Sequence, residues 1–172
     1  MQTQTLKNNF TQKETLQELK AILTGRWVTD LSNTAALLNS RFNDINWLGF
    51  YLADEKETLW LGPFQGLPAC ATIPFSKGVC GAAATQKKSM RIADVDQFPG
   101  HVVCDSRSRS EVVVPMIVDN KVIGVLDVDS ASLNRFSAED QIFFEKAVQI
   151  LLNIYFLNEK EGQQINAAFF FN

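Results

Sequence analysis

The sequence lacks the features that would place it in a membrane, on nucleic acid or outside the cell. No apolar run is long enough to span a bilayer: the most apolar stretch, 147–157, is interrupted by Gln149 and Asn153. The opening residues, Met1 to Lys20, are polar and lack the apolar core of a secretory signal. There is no cationic excess. Sixteen Lys and Arg stand against 19 Asp and Glu, a formal net charge of −3, which excludes general binding to nucleic acid or to an anionic membrane surface. Histidine occurs once, and cysteine three times, an odd number in a chain of 172 residues that can bury a core without staples. A disulfide scaffold is therefore excluded. No internal repeat or interdomain linker interrupts the chain, so 1–172 is expected to form a single domain, in a cytoplasmic protein.

What is present is an ordinary globular composition, 46% hydrophobic, with a clear change of period along the chain. Leu16, Leu19, Ile22 and Leu23 recur at helical spacing between Thr11 and a stop near Gly25. A second helix is expected from Asp30, as N-cap, to about Asn39. From Asn46 the pattern turns to strands. Runs 46–52 and 58–64 flank the polar turn Asp54-Glu55-Lys56-Glu57 and read as a hairpin. A short strand at 71–73, an alanine-rich helix at 78–86 and a strand at 89–93 follow. Residues 94–110 form a long polar connection holding Pro99, Gly100 and His101, and loops of that length are usually functional or mobile. Runs 111–118 and 121–130 are the clearest strands, and Ser137 with Asp140 opens a long last helix as a capping box. The order describes an α+β domain, an antiparallel sheet with helices against it. The last helix carries apolar residues from Ile142 to Phe156 on more than one stripe. A second buried face follows, either against a partner subunit in a homodimer or within its own domain. The tail 161–172, with Phe169, Phe170 and Phe171, fits neither pattern.

The cysteines lie in three segments. Cys80, in Gly78-Val79-Cys80-Gly81, falls in the first turn of a predicted helix, where backbone N–H groups and the macrodipole favour a thiolate. Cys104 lies in the long loop near Arg107 and Arg109, whose charge would favour the reactive form. Cys70 sits at a strand edge. Inert burial is the alternative for each of them singly. Zinc is the competing use for the three with His101, but spacings of ten and twenty-four residues between the cysteines show no C-x₂₋₄-C knuckle, and no metal is expected.

Carboxylates complete the constellation. Alternation in 121–130 puts Val125, Asp127 and Asp129 on one face and Val122, Gly124, Leu126 and Val128 on the other. A solvated face is one reading of the acids. Ile123 and Val125 on that same side favour the other, a covered pocket in which the acids serve a site. Glu111 opens the preceding strand and can reach the same place. Trp47, Gly49 and Tyr51 align on one face of 46–51, two rings flanking a glycine, read either as a pocket wall or as core.

The runs Asn46-Trp47-Leu48-Gly49-Phe50-Tyr51, Leu61-Gly62-Pro63-Phe64-Gln65-Gly66, Gly78-Val79-Cys80-Gly81 and Gly124-Val125-Leu126-Asp127-Val128-Asp129-Ser130 resemble the free methionine-(R)-sulfoxide reductases, which are stand-alone GAF-domain enzymes. The resemblance covers about Leu31 to Leu152. It implies a GAF-like sheet with N- and C-terminal helices on one face. It also implies that Cys104 attacks the sulfoxide sulfur, that Cys80 resolves the resulting sulfenic acid through a Cys80–Cys104 disulfide, and that Cys70 can join the exchange. Glu111, Asp127 and Asp129 are implied to contact the substrate, and Trp47 and Tyr51 to hold its methyl end. Thioredoxin is the implied reductant, no cofactor is implied, and the family commonly dimerises. Loss of the sulfoxide oxygen needs a carboxylic acid of raised pKa, and the remaining carboxylate charge suits the ammonium of a free amino acid. Two alternatives remain at this level: a non-catalytic GAF module that senses a small ligand, from which the three cysteines and the lack of an output domain separate the enzyme, and a peroxide-sensing cysteine protein, which needs no clustered acids.

Overall fold

The computed structural model describes residues 10–156; the tail 161–172 lies outside them. Helix α1 (Gln12–Ile22) starts at a capping box in which Glu14 N–H donates to the Thr11 hydroxyl and Thr11 N–H donates to the Glu14 carboxylate. Helix α2 (Trp27–Arg41) begins three residues before the expected Asp30. Asp30 is no N-cap. Fully buried, its carboxylate reaches back to accept from Thr24 N–H and Gly25 N–H, both at 2.9 Å, and from the Tyr155 hydroxyl. It closes the α1–α2 turn from inside the helix.

The hairpin falls where alternation placed it, as β1 (Trp47–Ala53) and β2 (Thr58–Gln65), with Asp54 accepting from Lys56 and Thr58 N–H groups to close the turn. Then come β3 (Thr72–Pro74), α3 (Gly78–Gln86), β4 (Met90–Ile92), β5 (Ser110–Val118), β6 (Lys121–Ser130) and α4 (Ala138–Phe156). Ser137 and Asp140 form the expected capping box of α4, and the Asp140 carboxylate also pairs with Arg135 at 3.2 Å. The strands make one antiparallel sheet in the order β3-β2-β1-β6-β5-β4. Pro74 is tolerated because β3 is an edge.

The sheet has two different faces. On one, Leu48, Phe50, Val112, Val114, Leu126 and Val128 pack with α1, α2 and α4 into the larger core. Helix α4 buries Phe143, Phe144, Ala147, Val148, Leu151, Leu152 and Tyr155 there, so its own domain absorbs most of its broad apolar surface, while Ile142 stays exposed. On the other face, Trp47, Tyr51, Val113 and Val125 pack with Val79, Cys80, Ala83 and Ala84 of α3. Val122 departs from the expected alternation and joins this second cluster. The cause is a bulge between Met116 and Ile117, where pairing jumps from Met116–Gly124 to Ile117–Val122. Among the described residues, no helix is long and apolar enough to cross a membrane.

Candidate active site

Register builds the site. Trp47, Gly49 and Tyr51 of β1 lie opposite Asp129, Asp127 and Val125 of β6, and Glu111 and Val113 of β5 lie opposite the same two acids from the other side. Three carboxylates from two neighbouring strands therefore share the face turned away from the long helices. Helix α3 lies over them. Its residue Gly81 makes this approach possible: a Cβ there would stand 2.4 Å from the Pro74 carbonyl oxygen and 2.7 Å from that of Phe75. The close seat brings Cys80 down onto the acids, with Sγ 3.8 Å from Glu111 Oε1.

Cys80, Glu111 and Asp127 are 4%, 5% and 6% exposed, and this sets their protonation. Burial, then the charges of Asp127 and Glu111, push the Cys80 thiol well above its ordinary value. The expected thiolate at the α3 N-terminus is thus corrected, because desolvation among carboxylates outweighs the helix end. Burial, followed by the Asp127 charge, likewise holds Glu111 and Asp129 well above the usual carboxylate range. Asp127 rises less, to about 6 by burial, with hydrogen bonds to Cys80 and Glu111 opposing the rise. Its Oδ1 is buried with no hydrogen-bond partner. The ligand atoms of Cys80, Glu111 and Asp127 all lie within 4.8 Å of one another.

The long connection 94–110 covers the acids and is pinned at several points. Val95 N–H donates to the Arg109 carbonyl, Gly78 N–H to that of Gly100, and Arg109 N–H to that of Ser130. Asn46, just before β1, donates from Nδ2 to Asp105 Oδ2 and Ser108 Oγ, both at 3.0 Å. The Arg107 guanidinium holds Asp105 down to about 2. Arg107 and Arg109, expected to favour a Cys104 thiolate, are engaged by Asp105 at 2.6 Å and Asp96 at 3.7 Å. The result is a cavity lined by Ile73, Gly78, Val79, Cys80, His101, Val102, Cys104, Asp105, Ser108, Glu111, Asp127 and Asp129.

Cys104 is bonded to Cys70, with their Cα atoms 5.1 Å apart, and Cys80 is free. The expected Cys80–Cys104 disulfide is therefore corrected. Cys80 sits on the floor among the acids, whereas the loop carrying Cys104 meets the segment before β3 that carries Cys70. The same bond removes two of the four ligands weighed for zinc. Trp47 and Tyr51 come together as expected, rings stacked at 5.8 Å, with Phe64 stacked on Trp47 at 5.4 Å. Their polar atoms donate to the carbonyls of Leu67 and Cys70. They stand on the acids' face of the sheet but are not among the residues lining the cavity. Gly49 makes room for Trp47, since a Cβ there would lie 2.7 Å from the indole. Sequence reasoning missed the roles of Asn46, Asp105 and Ser108. The dense polar run after Cys104 was the available signal.

The family model for the GAF domain matches residues 28–151. The chain is 49% identical over 127 residues to the free methionine-R-sulfoxide reductase of Escherichia coli, covering 73% of this chain and 76% of that enzyme. It is 41% identical over 157 residues to the enzyme of the same name from Saccharomyces cerevisiae, covering 84% and 87%. Among solved structures, the free methionine-R-sulfoxide reductase of Neisseria meningitidis in complex with its substrate superimposes with a TM-score of 0.82 at 39% identity, over 88% of this chain and 92% of that one.

The chain belongs to the free methionine-R-sulfoxide reductase family. The matched residues 28–151 include all four motif runs, from Asn46 to Ser130. Within the family's GAF domain, the motif residues Trp47, Gly49, Asp127 and Asp129 all fall on the side of the sheet beneath α3, away from the larger core.

Proposed function

We propose that this chain reduces free L-methionine-(R)-sulfoxide to methionine at the cavity between α3 and the 94–110 loop. The observation that carries the reading is Cys104 lining one cavity with three carboxylates of raised pKa, the buried Glu111 and Asp127 and the half-buried Asp129, while joined by a disulfide to Cys70. In this reading the reduced Cys104 attacks the sulfoxide sulfur, and a protonated carboxyl group gives its proton to the departing oxygen. Methionine leaves, and the oxygen remains on Cys104 as a sulfenic acid. The Cys70 thiol then condenses with it, forming the disulfide and releasing water. An external dithiol, of the thioredoxin kind, restores both thiols, a cycle suited to a reducing compartment such as the cytoplasm.

Asp127 carries the charge that holds the substrate's ammonium group, because it is the acid least raised and its Oδ1 is without a partner. Trp47 and Tyr51, on the same face but outside the cavity lining, back the strand that carries the acids. A cavity that reads the termini of a free amino acid rejects methionine sulfoxide within a peptide. The test is methionine release from the free R-sulfoxide with a dithiol reductant, set beside the S-epimer and a blocked peptide. Release from the free R-form alone is expected; equal turnover of the peptide, or none of any substrate, would refute the reading.

A further inference from the structure

Cys80 has no part in this cycle, yet it is a buried nucleophile held against two buried carboxylates. We propose that Cys80, Glu111 and Asp127 form a binding site for a thiophilic divalent cation such as Zn²⁺. The geometry suits such an ion. The Cys80 Sγ to Glu111 Oε1 separation of 3.8 Å is close to the edge of a tetrahedron with a Zn–S bond of about 2.3 Å and Zn–O bonds of about 2.0 Å, roughly 3.5 Å. All three ligand atoms fall within 4.8 Å of one another, and each comes from a different element, α3, β5 and β6. Asp127 is 6% exposed and lines the cavity, and its buried Oδ1 has no hydrogen-bond partner. A tetrahedral ion takes one further ligand, which water would supply. One thiolate and two carboxylates favour a borderline-soft ion over Mg²⁺ or Ca²⁺, which demand more oxygen ligands.

The site survives oxidation of the other two cysteines, because in the Cys70–Cys104 form Cys80 is the free thiol. That form gives the clean experiment: Co²⁺ is titrated into the disulfide-bonded protein without oxygen, and the thiolate-to-cobalt charge-transfer absorption is followed. A band saturating at about one equivalent is expected, bleached by Zn²⁺ and not by Mg²⁺. Cys80→Ser abolishes it, and Glu111→Gln or Asp127→Asn weakens cobalt affinity at least roughly tenfold. Circular dichroism checks each fold, and the near-isosteric Asp127→Asn decides the matter if Cys80→Ser fails to fold. No band in the parent protein, a band persisting in Cys80→Ser, or undiminished affinity in Asp127→Asn overturns the site. A separate arm rests on the proposed function: Zn²⁺ should raise the apparent KM for methionine sulfoxide. If the cobalt band forms but Zn²⁺ leaves turnover untouched, the cation site stands and the seating of the substrate's ammonium on Asp127 fails.

Discussion

Cys104, Cys70 and Cys80 have different surroundings, and their serine variants should fail differently. Cys104→Ser should yield no methionine even in a single turnover with enzyme in excess, because Cys80 is held protonated by burial and Cys70 does not line the cavity. Cys70→Ser should release one equivalent and then stall as a Cys104 sulfenic acid, detectable with a sulfenic-acid-trapping reagent. Cys80→Ser should release methionine and close the Cys70–Cys104 bond. A Cys80→Ser variant that stalls after one equivalent would restore Cys80 as the resolving thiol. The acids divide by how far burial raises them. Asp127, at about 6, ionises first among the three, and its charge helps keep the proton on Glu111. Asp127→Asn should therefore act mainly on KM, whereas Glu111→Gln should lower kcat by roughly a hundredfold as the proton is lost. Steady-state kinetics of the pair checks the division, and a Glu111→Gln enzyme with normal kcat contradicts it.

At the level of elements, α3 is the part whose seating matters most to the chemistry, and Gly81 is what permits it. Alanine is the better helix former by about 1 kcal/mol. A methyl group at 81 nevertheless meets the Pro74 and Phe75 carbonyls at 2.4 and 2.7 Å, which neither backbone oxygen can avoid by a side-chain turn. Gly81→Ala should thus cost on the order of 2 kcal/mol and lower the melting temperature. A melting temperature that rises, as helix propensity alone dictates, would show that α3 sits elsewhere. Most elements were legible in the sequence: α3 and β6 fall on the expected bounds because glycine and turn residues flank a clean pattern. The α2 start was not, since Asp30 accepts from groups several residues behind it and from Tyr155 at the far end of the chain. The Val122 face was not either, because Ile123 is an extra, unpaired residue in β6 opposite the Met116–Ile117 step of β5, and it resets the alternation there.

For the molecule as a whole, the buried acids make stability depend on pH with a definite sign. Asp127 is raised from 3.8 to about 6, so between those values the folded state holds more protons than the unfolded, and stability falls as pH rises. Glu111 and Asp129 are raised too and extend the same slope upward. Asp105, lowered to about 2, has the opposite sign, with a window ending near 3.8. Melting temperature should peak near about pH 4 and decline toward neutrality, and Asp127→Asn should flatten that decline and gain a few degrees at pH 7. A parent protein whose melting temperature climbs from pH 4 to 7 would refute the buried cluster. The acids as a group were legible, because both faces of 121–130 carry apolar neighbours. The pairing of cysteines was not, since it depends on where two loops meet in space rather than on residue type. That pairing is where the account is most directly exposed. Reduced protein should be mixed with one equivalent of free methionine-R-sulfoxide, quenched with acid, assayed for methionine and mapped by mass spectrometry under non-reducing conditions. The account predicts close to one methionine per chain, with Cys70 linked to Cys104 and Cys80 free. No methionine, or a linkage containing Cys80 as the main species, would contradict it.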